Sequence, residues 1–104
     1  MYIREAHPAG SARPDPKVKV DDPETLDERC DVAKRCLADL GLEIPTLIDG
    51  MDDAAERAYD AWPDRLYLVD ADGKIAYRSG PGPRGFKPEE LEAALKTLFA
   101  PRAP

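Results

Sequence analysis

The chain is poor in the residues that most often announce a function. Its 104 residues hold one histidine, one tryptophan and two cysteines. No apolar run approaches the roughly 18 to 20 residues that span a bilayer, and the start has no basic segment, apolar core and small-residue cleavage site of a secretory leader. A cytoplasmic protein is expected, unless a leader lies outside these residues. Lys and Arg are scattered and the net charge is −6, so neither nucleic acid nor an anionic membrane suits it as main partner, since both require concentrated positive surface. A GxxxxGK phosphate loop and EF-hand spacing are both missing, and no internal repeat or low-complexity tract appears.

Cys30 and Cys36 are not a CxxC redox pair. On a helix, six residues separate their Cα atoms by about 9 Å of rise, beyond the roughly 7 Å a disulfide tolerates. They read as small hydrophobes on or near a buried face.

What is present is a soluble globular composition, 42% hydrophobic and 35% charged, in one expected domain over 1–100 with a frayed tail at 101–104. Tyr2 to Arg4 suits a short strand that stops at His7-Pro8. Pro8 to Pro23, with four prolines, is a loop, in which Val18 and Val20 alternate with lysines as a short extended piece. Asp22 as N-cap and Pro23 at the first position predict a helix. Its apolar stripe is Leu26, Cys30, Ala33, Leu37 and Leu40, and Gly41 ends it.

Ile44 to Asp49 predicts a buried strand, and Asp52 or Asp53 caps a short helix through Tyr59. Asp49, Asp52 and Asp53 thus read as helix-capping rather than metal-binding. Leu66 to Val69 and Lys74 to Arg78 flank Asp70-Ala71-Asp72-Gly73 as a hairpin. SGPGPRGF is a loop, and Pro88, Glu89 and Glu90 open a last helix with Leu91, Ala94, Leu95 and Leu98 inward. The order β-α-β-α-β-β-α, with a right-handed parallel crossover, predicts an α/β fold: a thioredoxin-like three-layer α/β/α arrangement with a mixed sheet, lacking its N-terminal part.

YIREAHP, the helix around LDERCDVAKRCL, the AYDAWPDRLYLVDADGKIAY block and GPGPRGF followed by PEEL together resemble the iodothyronine deiodinases and their bacterial deiodinase-like relatives. The resemblance runs from Tyr2 to about Leu95. It implies a thioredoxin-like fold and thiol- or selenol-dependent reductive removal of iodine from an aromatic ring. No bound cofactor is implied; an external thiol reductant is. In that family a selenocysteine or cysteine precedes the EAHP strand, so the nucleophile is expected upstream of Met1. The chain then reads either as begun at an internal methionine downstream of that codon or as a shortened, inactive relative.

Glu5 and His7, two apart on an extended segment, point to one side. With the resemblance they become a proton relay to the ring carbon, histidine being suited to general acid-base work near neutrality; without it, a lone histidine beside proline is more often incidental. Trp62, Asp64 and Arg65 precede a strand where the family lines its substrate. Trp62 is either a ring-stacking residue or a core plug, and Arg65 either a carboxylate clamp or half of a surface ion pair. Pro63 is a candidate cis-proline. Arg84 either contacts substrate or merely sits in a turn. The segment after EAHP reads AGSARP where the family usually carries an acidic, glycine-tryptophan sequence, and Asp21 and Asp22 stand where vertebrate members have a second histidine. Expected partners are a small iodinated aromatic, a thiol reductant and, as an option, a second copy of the chain. The competing classes are a noncatalytic binding or dimerising module and a peroxiredoxin-like thiol oxidoreductase.

Overall fold

A computed structural model describes residues 1–16 and 20–100 of the chain. Val18 and the 101–104 tail lie outside the described residues. Contacts divide the chain into two compact units, Met1–Ala61 and Trp62–Pro104. Among the described residues the architecture is mixed α/β: three helices and one two-stranded antiparallel sheet. No helix among the described residues is long and apolar enough to cross a membrane.

In the first unit, α1 spans Leu26–Leu40 and is capped by Thr25, whose hydroxyl accepts the Glu28 N–H at 3.2 Å. The Glu28 carboxylate reaches back to accept the Glu24 N–H at 2.7 Å. This reciprocal arrangement is a variant of the capping box, and it moves the helix start past the expected Asp22-Pro23. Gly41 ends α1 in the left-handed region, φ 64°, where glycine carries no Cβ penalty.

The expected apolar stripe is buried only at its middle. Ala33 is 1% exposed, whereas Leu26 and Leu40 face solvent. Arg29, one turn before Ala33, is 3% exposed and takes the place a hydrophobe would have.

The two expected strands of this unit contract to a single parallel bridge, Tyr2 to Ile48. The Tyr2 N–H donates to Leu47 O at 2.7 Å and the Asp49 N–H to Tyr2 O at 2.9 Å. Pro45 removes a donor from the run, and the Thr46 hydroxyl diverts the Ile44 carbonyl at 3.1 Å. Ile44 and Leu47 are 64% and 70% exposed, so this stretch is not the buried strand expected. A second parallel bridge, Ala9 to Asp21, closes the proline-rich loop at its base. The short helix α2, Ala54–Tyr59, follows.

In the second unit, β1 (Tyr67–Val69) pairs antiparallel with β2 (Ile75–Arg78). The pairs are Tyr67 with Arg78, Leu68 with Tyr77 and Val69 with Ile75, with a bulge after Leu68. The turn forms as expected. The Asp70 carboxylate accepts the Asp72 and Lys74 N–H groups, both at 2.9 Å, and Gly73 adopts φ 80°. The Arg78 guanidinium lies 5.9 Å from the Tyr67 ring centre, a cation–π distance. Helix α3, Pro88–Leu98, begins with proline at its first position and packs on both strands.

Candidate functional site

In the first unit, Glu5 and His7 follow the Tyr2 bridge on a segment that bends at Arg4, Ala6 and His7, where an extended strand end was expected. His7 is exposed, and its Nδ1–H donates to the Arg13 carbonyl at 2.8 Å. The Asp15 N–H donates to His7 O at 3.1 Å. The loop therefore folds back on its own histidine and holds both ring and backbone. With Nδ1 committed as donor, the neutral ring keeps Nε2 as its acceptor. That is the form a proton carrier needs.

Glu5 is half-buried. Burial, reinforced by the Asp22 charge, pushes its carboxyl above the usual range, while Arg29 and His7 pull the other way. A carboxyl so placed holds its proton longer than a solvated one and can hand it on.

The first unit also holds a polar cluster centred on Arg29, which sequence patterning does not reveal. Arg29 NH1 donates to the carbonyls of Asp49 and Gly50 at 3.2 and 2.7 Å. Its NH2 donates to Asp53 Oδ1 at 3.1 Å. Its Nε is buried without a hydrogen-bond partner.

Asp49 is equally buried, 3% exposed. Its two oxygens accept the Ala55 and Glu56 N–H groups at 3.0 and 2.9 Å, at the start of α2. Burial alone would raise this carboxyl; the backbone N–H groups of Glu56, Ala55 and Gly50, with the Arg29 charge, outweigh it and hold it below the usual range. Asp52 accepts the Ala54 N–H at 3.2 Å. Asp53 occupies the cap position itself at φ 57° and makes no capping bond with its side chain; its carboxylate goes to Arg29 instead. Among the described residues no three His, Cys, Asp or Glu side chains converge to hold a metal ion.

An open groove in the first unit is lined by Ala9, Val20, Asp22, Glu28, Val32 and Arg35 among others. Cys30 and Cys36 are both free thiols, part-buried on α1.

In the second unit, the Trp62–Pro63 and Gly82–Pro83 peptides are both cis. Trp62 is 39% exposed. Arg65 NH1 donates to Ser79 O at 2.8 Å. Ser79 is itself buried; its hydroxyl accepts the Leu66 N–H and donates to Gly80 O, both at 2.8 Å. The Gly82 N–H donates to Asp64 O at 3.0 Å. A Cβ on Gly82 would overlap the Asp64 carboxylate, and one on Gly85 would overlap the Gly80 backbone. The SGPGPRGF loop is thus a tight fold with Asp64 against it and Arg84 exposed on it.

Glu5 and His7 lie two residues apart in the first unit, His7 bonded to Arg13 and Asp15; in the second unit Asp64 stands against the loop that carries Arg84. Arg29 and Ser79 are the residues sequence reasoning passed over, whereas Asp49, expected to cap a helix, accepts the Ala55 and Glu56 N–H groups of α2. The one available signal was positional: Arg29 lies three residues after Leu26 and four before Ala33, inside the stripe.

Comparison with known proteins is consistent across the chain. A family model described as iodothyronine deiodinase matches residues 1–99. Thyroxine 5-deiodinase of Sparus aurata is 35% identical over 100 residues, covering 92% of this chain and 36% of that protein. Type I iodothyronine deiodinase of Xenopus laevis is 33% identical over 96 residues, covering 92% of this chain and 37% of its own. The chain spans little more than a third of the length of these relatives.

Proposed function

Because the chain belongs to the iodothyronine deiodinase family, we propose that it is an oxidoreductase domain for thiol- or selenol-dependent reductive deiodination of a thyroxine-like aromatic. The observation that carries this reading is the Glu5–His7 segment: a carboxyl that burial pushes above its usual range, two residues before a histidine whose Nδ1 is tied to the Arg13 carbonyl. The step breaks a C–I bond and forms a C–H bond. The nucleophilic sulfur or selenium takes the iodine, and the ring carbon takes a proton that passes from Glu5 through His7 Nε2. An external thiol then reduces the sulfur– or selenium–iodine bond, releases iodide and becomes a disulfide.

The nucleophile in this reading is neither Cys30 nor Cys36. Both sit along α1, and the family motif places its selenocysteine or cysteine before the EAHP segment. The 104 residues alone are therefore inactive in this reading. The mixed α/β units are read as parts of a thioredoxin-like layered fold, which the parallel Tyr2–Ile48 bridge on either side of α1 supports. In the second unit, Asp64 and Arg65 serve the shape of the SGPGPRGF loop. Trp62 and Arg84 are the side chains with surface left to meet an aromatic acid.

The test is iodide release from thyroxine with a dithiol reductant. It is run on the chain and on a version extended by the codons upstream of Met1. Release by the extended protein, reduced about 100-fold or more by Glu5→Gln or His7→Asn, is the expected result for a lost general acid. Unchanged release in both variants overturns the relay. Peroxide consumption without iodide release would make the protein a peroxiredoxin-like enzyme, and thyroxine binding without turnover a noncatalytic module.

A further inference from the structure

We propose that Asp72 is a site of slow covalent self-modification: the Asp72–Gly73 peptide rearranges to a β-linked isoaspartate, while the same dipeptide at Asp49–Gly50 is held unreactive by the fold. The inference stands apart from the deiodination reading, since it needs neither a substrate nor a nucleophile upstream of Met1.

The sequence narrows the possibilities to two places. The chain has no asparagine, and aspartate is followed by glycine only at 49–50 and 72–73. Glycine favours the rearrangement because it puts no side chain in the way of its own nitrogen and leaves the backbone free to turn. The Gly73 nitrogen bonds to Asp72 Cγ, and its proton leaves with the carboxyl hydroxyl as water. Water then reopens the five-membered ring. Addition at Cγ restores aspartate, whereas addition at the main-chain carbonyl leaves the chain running through Cγ. One water leaves and one returns, so no oxidant, reductant or other reactant enters.

At 49–50 nearly every atom that would have to move is tied. Asp49 is 3% exposed, and its N–H donates to Tyr2 O at 2.9 Å. Its two carboxylate oxygens accept the Ala55 and Glu56 N–H groups. The Asp49 and Gly50 carbonyls both accept from Arg29, and Gly50 O also accepts the Asp53 N–H at 2.9 Å. Burial alone would raise the Asp49 carboxyl, but the backbone N–H groups and the Arg29 charge keep it ionised, and a carboxylate resists attack by a nitrogen. The Asp52 carboxylate crowds Gly50 as well: a Cβ there would meet Oδ1 at 2.8 Å.

At 72–73 the opposite holds. Both residues are exposed at the tip of the β1–β2 hairpin. Among the described residues the Asp72 carboxylate has no partner; only its N–H is engaged, with Asp70 Oδ1. The space around Gly73 is open. A single exposed turn bond, Gly73 N–H to Asp70 O at 3.1 Å, has to open before the nitrogen can reach Cγ. Attack geometry of this kind decides such reactions, because ring closure is fast only when the two atoms can be brought into line. The product carries an extra main-chain methylene between the Asp72 and Lys74 N–H groups that Asp70 gathers, so it loosens the turn that sets the Val69–Ile75 pairing.

The test needs only the chain itself. Folded protein is incubated at neutral pH and body temperature for several weeks, beside a sample held unfolded in guanidinium chloride, with circular dichroism confirming the state of each. Trypsin places the two sites in different peptides, 36–57 and 66–74. Isoaspartate in each is read by electron-transfer fragmentation and by methyl-ester labelling with an isoaspartyl methyltransferase. In the folded sample isoaspartate at 72 should exceed that at 49 by about tenfold or more, because reaction at 49 first requires local opening of its hydrogen bonds. In denaturant the two sites should react alike. No isoaspartate at 72 in the folded sample, or equal amounts at both sites, overturns the proposal. So does a difference that survives denaturant, for then the neighbouring sequence and not the fold would set it. Asp72→Ser assigns the signal: isoaspartate persisting in its 66–74 peptide would place the modification at Asp70 and likewise overturn the proposal.

Discussion

Replacing Asp49 tests the polar cluster most directly. Asp49→Ala deletes the acceptor of two helix N–H groups, at 3.0 and 2.9 Å, in a place that water barely enters. Hydrogen bonds to a charged acceptor contribute about 1.5–3 kcal/mol each, and their losses do not add fully. Arg29 keeps Asp53 and the two carbonyls, so the guanidinium is not stranded. The expected cost is about 3 kcal/mol, a large share of the roughly 5–15 kcal/mol that holds a domain together. Asp49→Asn keeps one carbonyl oxygen and loses the charge, so roughly half that cost is expected. The assay is urea unfolding followed by circular dichroism at about pH 7, with midpoint and slope both fitted. Acid supplies the control. The folded-state carboxyl titrates below its unfolded counterpart near pH 3.9. Its stabilisation is thus fully present above that value and lost as pH falls through the folded value. The gap between the parent protein and Asp49→Asn should therefore close on acidification. A loss under about 0.5 kcal/mol for Asp49→Ala, or a gap that persists undiminished in acid, refutes the reasoning.

Glu5 should show the reverse sign. Its folded-state carboxyl titrates above the unfolded one, so the ionised form disfavours the fold. Glu5→Gln should raise the melting temperature at neutral pH, and the gain should vanish below about pH 4.3; a lower melting temperature at neutral pH would contradict this. Thr25→Ala should cost about 1 kcal/mol by uncapping α1, read in the same urea assay, whereas Asp22→Ala should leave that helix end unaffected. Gly85→Ala should destabilise more than Gly82→Ala, because a Cβ at 85 meets the immovable Gly80 backbone and one at 82 meets only the Asp64 side chain. Asp64→Ala should recover much of the Gly82→Ala loss; failure of that rescue in a double-mutant cycle would mean the Asp64 contact is not what fixes the loop.

What was legible in the sequence was the local chemistry. Gly41, the Asp70–Gly73 turn and Pro88 act through their own backbone preferences, and each falls where expected. The start of α1 was misplaced because Asp22-Pro23 and Thr25–Glu28 are both valid caps, and the second wins through the reciprocal bond from Glu28 to the Glu24 N–H. The 44–49 run promised a strand by composition, yet Pro45 and the Thr46 hydroxyl leave it one bridge. Glu5 and His7 were visible as a pair, whereas Arg29 was not, because its partners at Asp49, Gly50 and Asp53 are distant in sequence and two of its contacts are backbone carbonyls. No pattern of side chains encodes a carbonyl.

The makeup of the buried set has a calorimetric consequence. Among the described residues the most enclosed side chains include Arg29, Asp49 and Ser79 beside the single small hydrophobe Ala33, and no large side chain is fully sequestered. Exposing apolar surface raises the heat capacity on unfolding and exposing polar surface lowers it. These 104 residues should therefore unfold with a heat-capacity increment below the usual ~1.2–1.5 kcal/mol/K per 100 residues and with a shallow urea slope. Their stability curve against temperature should therefore be a broad arch, with little change in stability across the physiological range.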